Sequence, residues 1–290
     1  MFRIETTENT LQLLSDVRRG QWFVHDHEAL LPVALSFLRG EQISNTPHRE
    51  AFEFSTTTPQ FRTDGPAGAK KSDVAVIPIV GSITKYDSCF SYGAITYARA
   101  ILAAAKHPDV GSIVLDIDSG GGAVNAIGIL KEAIKQTKEL GKPILAHVDL
   151  CASLAYWIAS QCDAIFCDNA LSEVGSIGGF CKIIDDTGAL EMKGYKVITI
   201  YADESGDKNL FYRQALDGDY SLLKKDLSHN VALFHQDVKA GRPEIKDDSP
   251  GVFTGAMFYP EQAEELGLIN GVMTLEACIE NAAIRAQYNH

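Results

Sequence analysis

The stretch His147-Val-Asp-Leu-Cys-Ala-Ser153-Leu-Ala-Tyr-Trp157 joins an apolar run typical of a buried strand, residues 143–148, to an apolar helical run, residues 154–159. A serine at such a junction lies where backbone N–H groups point outward and the helix dipole favours negative charge. That position suits a nucleophilic hydroxyl and the oxyanion it creates. It also suits a helix cap, the commonest role of a serine there. The rest of the sequence has to decide between these two roles.

A glycine-rich loop, Asp118-Ser-Gly-Gly-Gly122, lies between a second apolar run and a helix with an apolar stripe. Glycines allow close approach of the backbone to a ligand and positive φ. A dinucleotide-binding loop is not indicated, because Asn125 stands where the third glycine of G-x-G-x-x-G is required and no G-K-[S/T] follows. An oxyanion hole and a plain tight turn both remain possible interpretations of this loop.

From Asp73 onward, buried strands alternate with amphipathic helices, which predicts a parallel sheet covered on both faces. The predicted strands are residues 74–80, 112–117, 144–148, 164–167 and 197–202. The predicted helices are residues 93–105, 124–140, 154–159, 220–240, 260–266 and 275–286.

The front of the chain has a different pattern. Residues 1–53 contain two runs with helical apolar spacing, 11–17 and 29–38, and are predicted to form an N-terminal helical extension. Residues 54–72 are rich in polar, Gly and Pro residues and indicate a linker. We therefore expect a principal domain over residues 73–275 and a C-terminal helix over 276–290.

The composition limits the class of protein. The chain has 290 residues, 46% hydrophobic residues and a formal net charge of −12, which argues against nucleic-acid binding. No apolar run reaches the roughly 18–20 residues that span a bilayer, and no export signal is visible. Six cysteines without zinc-ligand spacing predict buried free thiols in a reducing cytoplasm, with neither metal nor cofactor. Cys151 is a rival nucleophile to Ser153.

Four segments together resemble the serine peptidase family of signal peptide peptidase A and phage protein C. They are Ile117-Asp-Ser-Gly-Gly-Gly122, Ala152-Ser-Leu-Ala-Tyr-Trp-Ile-Ala159, Val174-Gly-Ser-Ile-Gly178 and Val252–Ile269. The resemblance implies a ClpP/crotonase-like spiral fold and a Ser–Lys dyad with Ser153 as nucleophile. It also implies an oxyanion hole made by the N–H groups of Gly121 and Leu154, and a serine, Ser176, that orients the lysine.

The chain departs from the family pattern at two points. Gly120 replaces the proline usual in the glycine loop, which loosens the turn but leaves the Gly121 N–H in place. The family lysine site is met only if two residues are inserted after residue 202, which brings Lys208 there; Lys196 and Lys182 are the alternatives. A histidine base of the ClpP type is not expected. It would lie about 25 residues after the nucleophilic serine, and this chain has Gly178 there.

The resemblance implies a serine endopeptidase that acts on protein or peptide segments as a homo-oligomer. The net charge and the lack of a spanning apolar run predict neither a nucleic-acid nor a membrane partner. The run Arg19-Gly-Gln-Trp22 resembles the extension of phage-encoded members. We therefore expect a phage or prophage prohead protease that cuts capsid scaffold and head proteins in the host cytoplasm or prohead. The alternatives are a soluble cellular signal-peptide-peptidase-like protease, a degenerate capsid-assembly scaffold and, least favoured, a crotonase-type acyl-CoA enzyme.

Overall fold

The computed structural model describes residues 21–24, 73–87, 91–183, 185 and 187–288. The strands are β1 (Gln21–Val24), β2 (Asp73–Val80), β3 (Val110–Ser119), β4 (Gly121–Ala123), β5 (Ile144–Ala152), β6 (Ala164–Cys167), β7 (Glu173–Gly175), β8 (Phe180–Cys181) and β9 (Met257–Phe258). The α-helices are α1 (Ala94–Lys106), α2 (Ile127–Glu139), α3 (Leu154–Ala159), α4 (Thr187–Met192), α5 (Leu210–Leu216), α6 (Ser221–Gly241), α7 (Pro260–Glu265) and α8 (Leu275–Tyr288). A short 3₁₀ turn, Val124–Ala126, precedes α2.

The larger sheet has the strand order β2-β3-β5-β7-β9, and β6 also pairs with β5. All of its pairings are parallel except that of β7 with β9. Strands β6 and β7 share one edge of β5, β6 along residues 145–148 and β7 along residues 150–152. The C-terminal end of β5 is therefore held on both sides, and Ser153 follows it directly.

Helices cover both faces of this sheet, which explains why its central strands are apolar throughout rather than alternating. On one face, α1, α2 and α3 enclose the main core together with β3 and β5. On the other face, α8 places Cys278 and Ala282 against Val114 and Leu145. The α/β class predicted from the sequence is confirmed.

A second, three-stranded sheet has the order β4-β1-β8. Its middle strand comes from the N-terminal extension, while β4 and β8 belong to the principal domain. The described part of the extension is therefore a strand. The helices predicted over residues 11–17 and 29–38, and the linker over 54–72, lie outside the described residues.

The predicted strands and helices between residues 73 and 288 are confirmed with small shifts of their ends, except one. The strand predicted over residues 197–202 is wrong: this segment has no regular structure, and Val197, Ile198 and Ile200 are 66%, 69% and 87% exposed. An apolar β-type pattern becomes a strand only when another strand offers hydrogen bonds, and here the described chain pairs none with it. In the part of the chain that is described, no helix combines the length and the apolar character needed to cross a membrane.

Candidate active site

Ser153 lies on a sharp turn between β5 and α3. Its backbone has φ 56° and ψ −117°, and the residue is only 1% exposed. Its N–H donates to the Gly175 carbonyl at 2.8 Å, and its Oγ donates to the Gly178 carbonyl at 3.4 Å. The hydroxyl is thus held at the C-terminal edge of the sheet, where loops of α/β proteins place their functional groups.

The backbone of Ser153 is strained, because a non-glycine residue at positive φ costs about 1–3 kcal/mol. Its side chain makes no hydrogen bond that would cap α3. A simple helix cap would have extended backbone angles and would bond an N–H of the first turn. The geometry therefore favours a serine placed as a nucleophile over a serine that caps a helix.

Helix α3 is anchored to α6 by one aromatic residue. The Trp157 ring stacks on Phe234, with 4.5 Å between ring centroids and 8° between planes, and its Nε1 donates to Asp237 at 2.9 Å. Asp237 also accepts a 2.6 Å bond from Lys131 of α2. Because every residue of α3 is buried, these contacts fix the helix and hence the turn that carries Ser153.

The end of β7 and the loop after it lie beside Ser153 and supply both of its hydrogen-bond acceptors, the carbonyls of Gly175 and Gly178. Ser176 has φ 52°, and its N–H donates to the Ala256 carbonyl at 2.8 Å. Gly175 has φ 126°, and a Cβ there would lie 2.6 Å from the same carbonyl, so only glycine fits. This loop brings Ser176 within a few residues of both hydrogen-bond partners of Ser153, while its role in orienting a lysine stays a prediction.

The two predicted oxyanion donors begin two elements that contact each other, Gly121 in β4 and Leu154 in α3. The N–H of Leu154 is the first of α3 and has no partner within the helix. The N–H of Gly121, at φ 105°, donates to Ser119 Oγ at 3.1 Å, and that hydroxyl donates in turn to the Gly81 carbonyl at 2.6 Å. In this conformation the Gly121 N–H is already bonded to Ser119 Oγ. It can stabilise an oxyanion only if that hydrogen bond is broken.

Among the described residues, no lysine is hydrogen-bonded to the Ser153 hydroxyl. Lys208 lies in an exposed turn before α5, and Lys196 and Lys182 are also exposed. Within the described residues, the only side-chain hydrogen bond of Ser153 is the one to Gly178. The structure therefore brings Ser153, Ser176, Gly121 and Leu154 into one region without placing a lysine on the hydroxyl.

Two other side chains bear on the choice of nucleophile and base. Burial raises the pKa of Cys151 well above its ordinary value, so this inaccessible group stays a thiol. His235 of α6 is half-buried and contacts the backbone of Ile177. Burial, aided by the charge of Lys239, lowers the pKa of His235. This contact depends on the packing of α6 against the loop that contains Ile177, so no local motif could have indicated it.

His147 has a structural position. Its Nδ1 lies 2.8 Å from Asp116, and its Nε2 lies 3.2 Å from Asp168 without the alignment of a hydrogen bond. Burial lowers its pKa, but the hydrogen bond and charge of Asp116 and the charge of Asp168 outweigh burial and raise it. The ring is held between two carboxylates on β3 and after β6, as expected for a residue that supports the sheet.

The parallel sheet and the strained serine after its central strand define an α/β protein with a candidate active site at the C-terminal edge of the sheet. Residues 136–289 match the family model of Peptidase family S49, which is more than half of the chain. The chain therefore belongs to peptidase family S49, and the resemblance seen in the sequence is confirmed.

The similar proteins include "Protease 4" of Haemophilus influenzae, 23% identical over 72% of this chain and 34% of that protein. "Putative protease slr0021" of Synechocystis is 26% identical over 74% of this chain and 75% of that protein. The chain thus spans about a third of the length of Protease 4.

Among solved structures, the 1510-N membrane-bound stomatin-specific protease has a TM-score of 0.40 at 20% identity, covering 73% of this chain and 84% of that one. ClpP1 from Listeria monocytogenes has a TM-score of 0.43 at 13% identity, covering 70% of this chain and 94% of that one.

Proposed function

We propose that this chain is a serine endopeptidase in which the Ser153 hydroxyl attacks the scissile carbonyl of an extended polypeptide segment. The observation that carries the proposal is the backbone of Ser153, which is held at positive φ at the end of the central strand without any capping bond. Strain of this kind persists where function requires one side-chain direction. Membership of peptidase family S49 supports the same reaction.

The tetrahedral intermediate of such a reaction carries an oxyanion, which backbone N–H groups can stabilise. The Leu154 N–H is suited to this role, and the Gly121 N–H joins it when its bond to Ser119 is exchanged for one to the oxyanion. Removing one donor of an oxyanion hole typically costs about 3–4 kcal/mol of transition-state stabilisation.

We propose Lys208 as the general base, delivered to Ser153 by a rearrangement or by a second copy of the chain. A lysine acts as a general base near neutral pH only after burial has lowered the pKa of its amine by about 3 units. In the structure Lys208 lies in an exposed turn. The segment before Lys208 has exposed apolar side chains at Val197, Ile198 and Ile200. A patch of this kind favours a packing partner, and covering it would bury the turn that carries the lysine.

For the substrates, we propose capsid scaffold and head proteins of a phage or prophage. The support is the extension containing Arg19-Gly-Gln-Trp22, which resembles that of phage-encoded family members. A cellular protease of the signal-peptide-peptidase type is the alternative, favoured by the similarity to Protease 4. The exposure of Lys208, without a hydrogen bond to the Ser153 hydroxyl, also leaves a catalytically degenerate scaffold protein as a candidate.

Cleavage of candidate substrates separates these possibilities. The full-length chain is incubated with purified phage head and scaffold proteins, and separately with a secretory signal peptide. We expect discrete cleavage of the head or scaffold protein, reduced at least about 1,000-fold in Ser153→Ala and unchanged in the matched surface variant Ser228→Ala, at an exposed position on α6. Cleavage that persists in Ser153→Ala contradicts the mechanism, and cleavage of the signal peptide alone contradicts the phage substrates.

A further inference from the structure

The strand β1 lies between two strands that are distant from it in the sequence. It pairs antiparallel with β4, placing Phe23 opposite Gly122 and Val24 opposite Gly121. On its other side it pairs antiparallel with β8, placing Trp22 opposite Phe180. Strands β4 and β8 therefore run parallel to each other and form the two walls of a groove one strand wide.

The backbone of β4 is arranged to hold a strand in this groove. Ile83 bonds one edge of β4, because its N–H donates to the Gly121 carbonyl and its carbonyl accepts from the Ala123 N–H, both at 2.9 Å. Backbone groups of successive residues in a strand point to opposite edges. The N–H and carbonyl of Gly122 therefore face the groove, and Phe23 is their partner.

Both walls of the groove lead to the candidate active site. Gly121, a predicted oxyanion donor, is itself the first residue of β4. Gly178, whose carbonyl accepts the Ser153 hydroxyl, stands two residues before β8. Since Val24 is the β1 residue opposite Gly121, the C-terminal end of β1 is the end nearest the predicted oxyanion hole.

We propose that Gln21–Val24 is a built-in occupant of the peptide groove, which keeps the site closed to other extended polypeptides until it is displaced. The inference rests on the proposed function, because it takes the groove to be the one that serves Ser153. A strand inserted between two edges is recognised mainly through main-chain hydrogen bonds. The ligand class is therefore any extended segment with an unpaired backbone, and the tethered strand competes at high effective concentration.

A binding experiment without catalysis tests this occupancy. The full-length chain carrying Ser153→Ala is titrated against a fluorescein-labelled peptide with the sequence of residues 19–26, Arg-Gly-Gln-Trp-Phe-Val-His-Asp. Phe23→Pro in this background removes the N–H that faces Gly122 and disfavours the strand. The control is Phe23→Val, which keeps both the N–H and a residue suited to strands.

We expect Phe23→Pro to bind the peptide at least about tenfold more tightly than the Ser153→Ala parent, since the internal competitor is lost. Phe23→Val should stay within about threefold of the parent. Hydrogen exchange at the Gly122 amide should be at least about tenfold faster in Phe23→Pro, while amides of β3 and β5 keep their protection and report an intact fold.

Equal peptide affinity of Phe23→Pro and the parent, in a variant whose β3 and β5 amides stay protected, would overturn the proposed occupancy. Tighter binding in Phe23→Val to the same degree would also contradict it, because the backbone bond would then not be the cause. The outcome does not depend on catalysis. Peptidase activity that survives Ser153→Ala would refute the proposed mechanism and leave this comparison of affinities intact.

Discussion

At the scale of single residues, the turn at Ser153 places the proposed nucleophile at a cost in stability. The same backbone angles that aim the hydroxyl away from a capping position are unfavourable for every residue except glycine. The fold accepts this strain because Gly175 and the buried helix α3 hold the turn from both sides. A substitution of Ser153 that relieves the strain should therefore stabilise the fold while it removes the nucleophilic hydroxyl.

We predict that Ser153→Gly has a free energy of unfolding at least about 1 kcal/mol higher than Ser153→Ala, because only glycine adopts φ 56° without strain. Chemical denaturation measures the difference. The control pair is Ser205→Gly and Ser205→Ala, at a position without positive φ, where the alanine variant should be the more stable. An alanine variant as stable as the glycine variant at residue 153 would show that the turn is unstrained.

His147 gives the stability a specific pH dependence. Its pKa is raised in the folded protein, so the stabilisation from its charged form is complete below about pH 6.5 and is lost as the pH rises through the folded pKa. We predict that His147→Asn lowers the free energy of unfolding more at pH 6 than at pH 9. Measurement of denaturation midpoints at both pH values tests this, and a loss that is greater at pH 9 would contradict the sign.

At the scale of secondary-structure elements, α3 depends on α6. The stacking of Trp157 on Phe234 is the contact by which a 21-residue helix holds the short helix behind the nucleophile. We predict that Phe234→Ala lowers the free energy of unfolding by about 3–5 kcal/mol, because it empties a fully buried aromatic site. Peptidase activity of the remaining folded protein should also fall, since α3 loses its support.

The matched control for that substitution is Leu233→Ala, on the same helix but 44% exposed, which should change stability by less than about 1 kcal/mol. Thermal and chemical denaturation of both variants provide the comparison. Similar losses at residues 233 and 234 would show that α6 is not anchored through Phe234.

Most elements of the principal domain could be predicted from the sequence, because buried parallel strands and amphipathic helices each leave a local pattern. The exceptions have physical reasons. Strands β4, β7, β8 and β9 have only two or three residues and no detectable periodicity. The segment at 197–202 has the pattern of a strand but no partner strand among the described residues, and pairing is not a local property.

The candidate site also contains parts that could be predicted from the sequence and parts that could not. Ser153, Ser176 and the glycine loop could be located because each belongs to a motif at a strand end. The base could not be located in this way. The position of a lysine in a loop depends on how the loop folds, and the number of residues between it and Ser153 does not determine that fold. His235 and the insertion of β1 between β4 and β8 were not predicted, since both depend on contacts between distant segments.

At the scale of the whole molecule, the exposed apolar segment before Lys208 is the surface for which we propose a packing partner. We predict that Ile200→Asp, at a side chain that is 87% exposed, shifts the sedimentation coefficient to that of a smaller species and lowers peptidase activity per chain. Leu171→Asp, at an 81% exposed side chain outside this segment, is the control and should leave both unchanged. An Ile200→Asp variant with unaltered mass and activity would contradict a role of this surface in assembly.

The reactivity of one hydroxyl decides whether the molecule is a peptidase. The full-length chain is treated with a fluorophosphonate, which labels activated serines, and the modified residue is located by peptide mass spectrometry. We expect labelling at Ser153, lost in Lys208→Ala and retained in Lys196→Ala and Lys182→Ala. An absence of label at Ser153 under conditions where the chain is assembled, or label that persists in Lys208→Ala, would contradict a serine activated by that lysine.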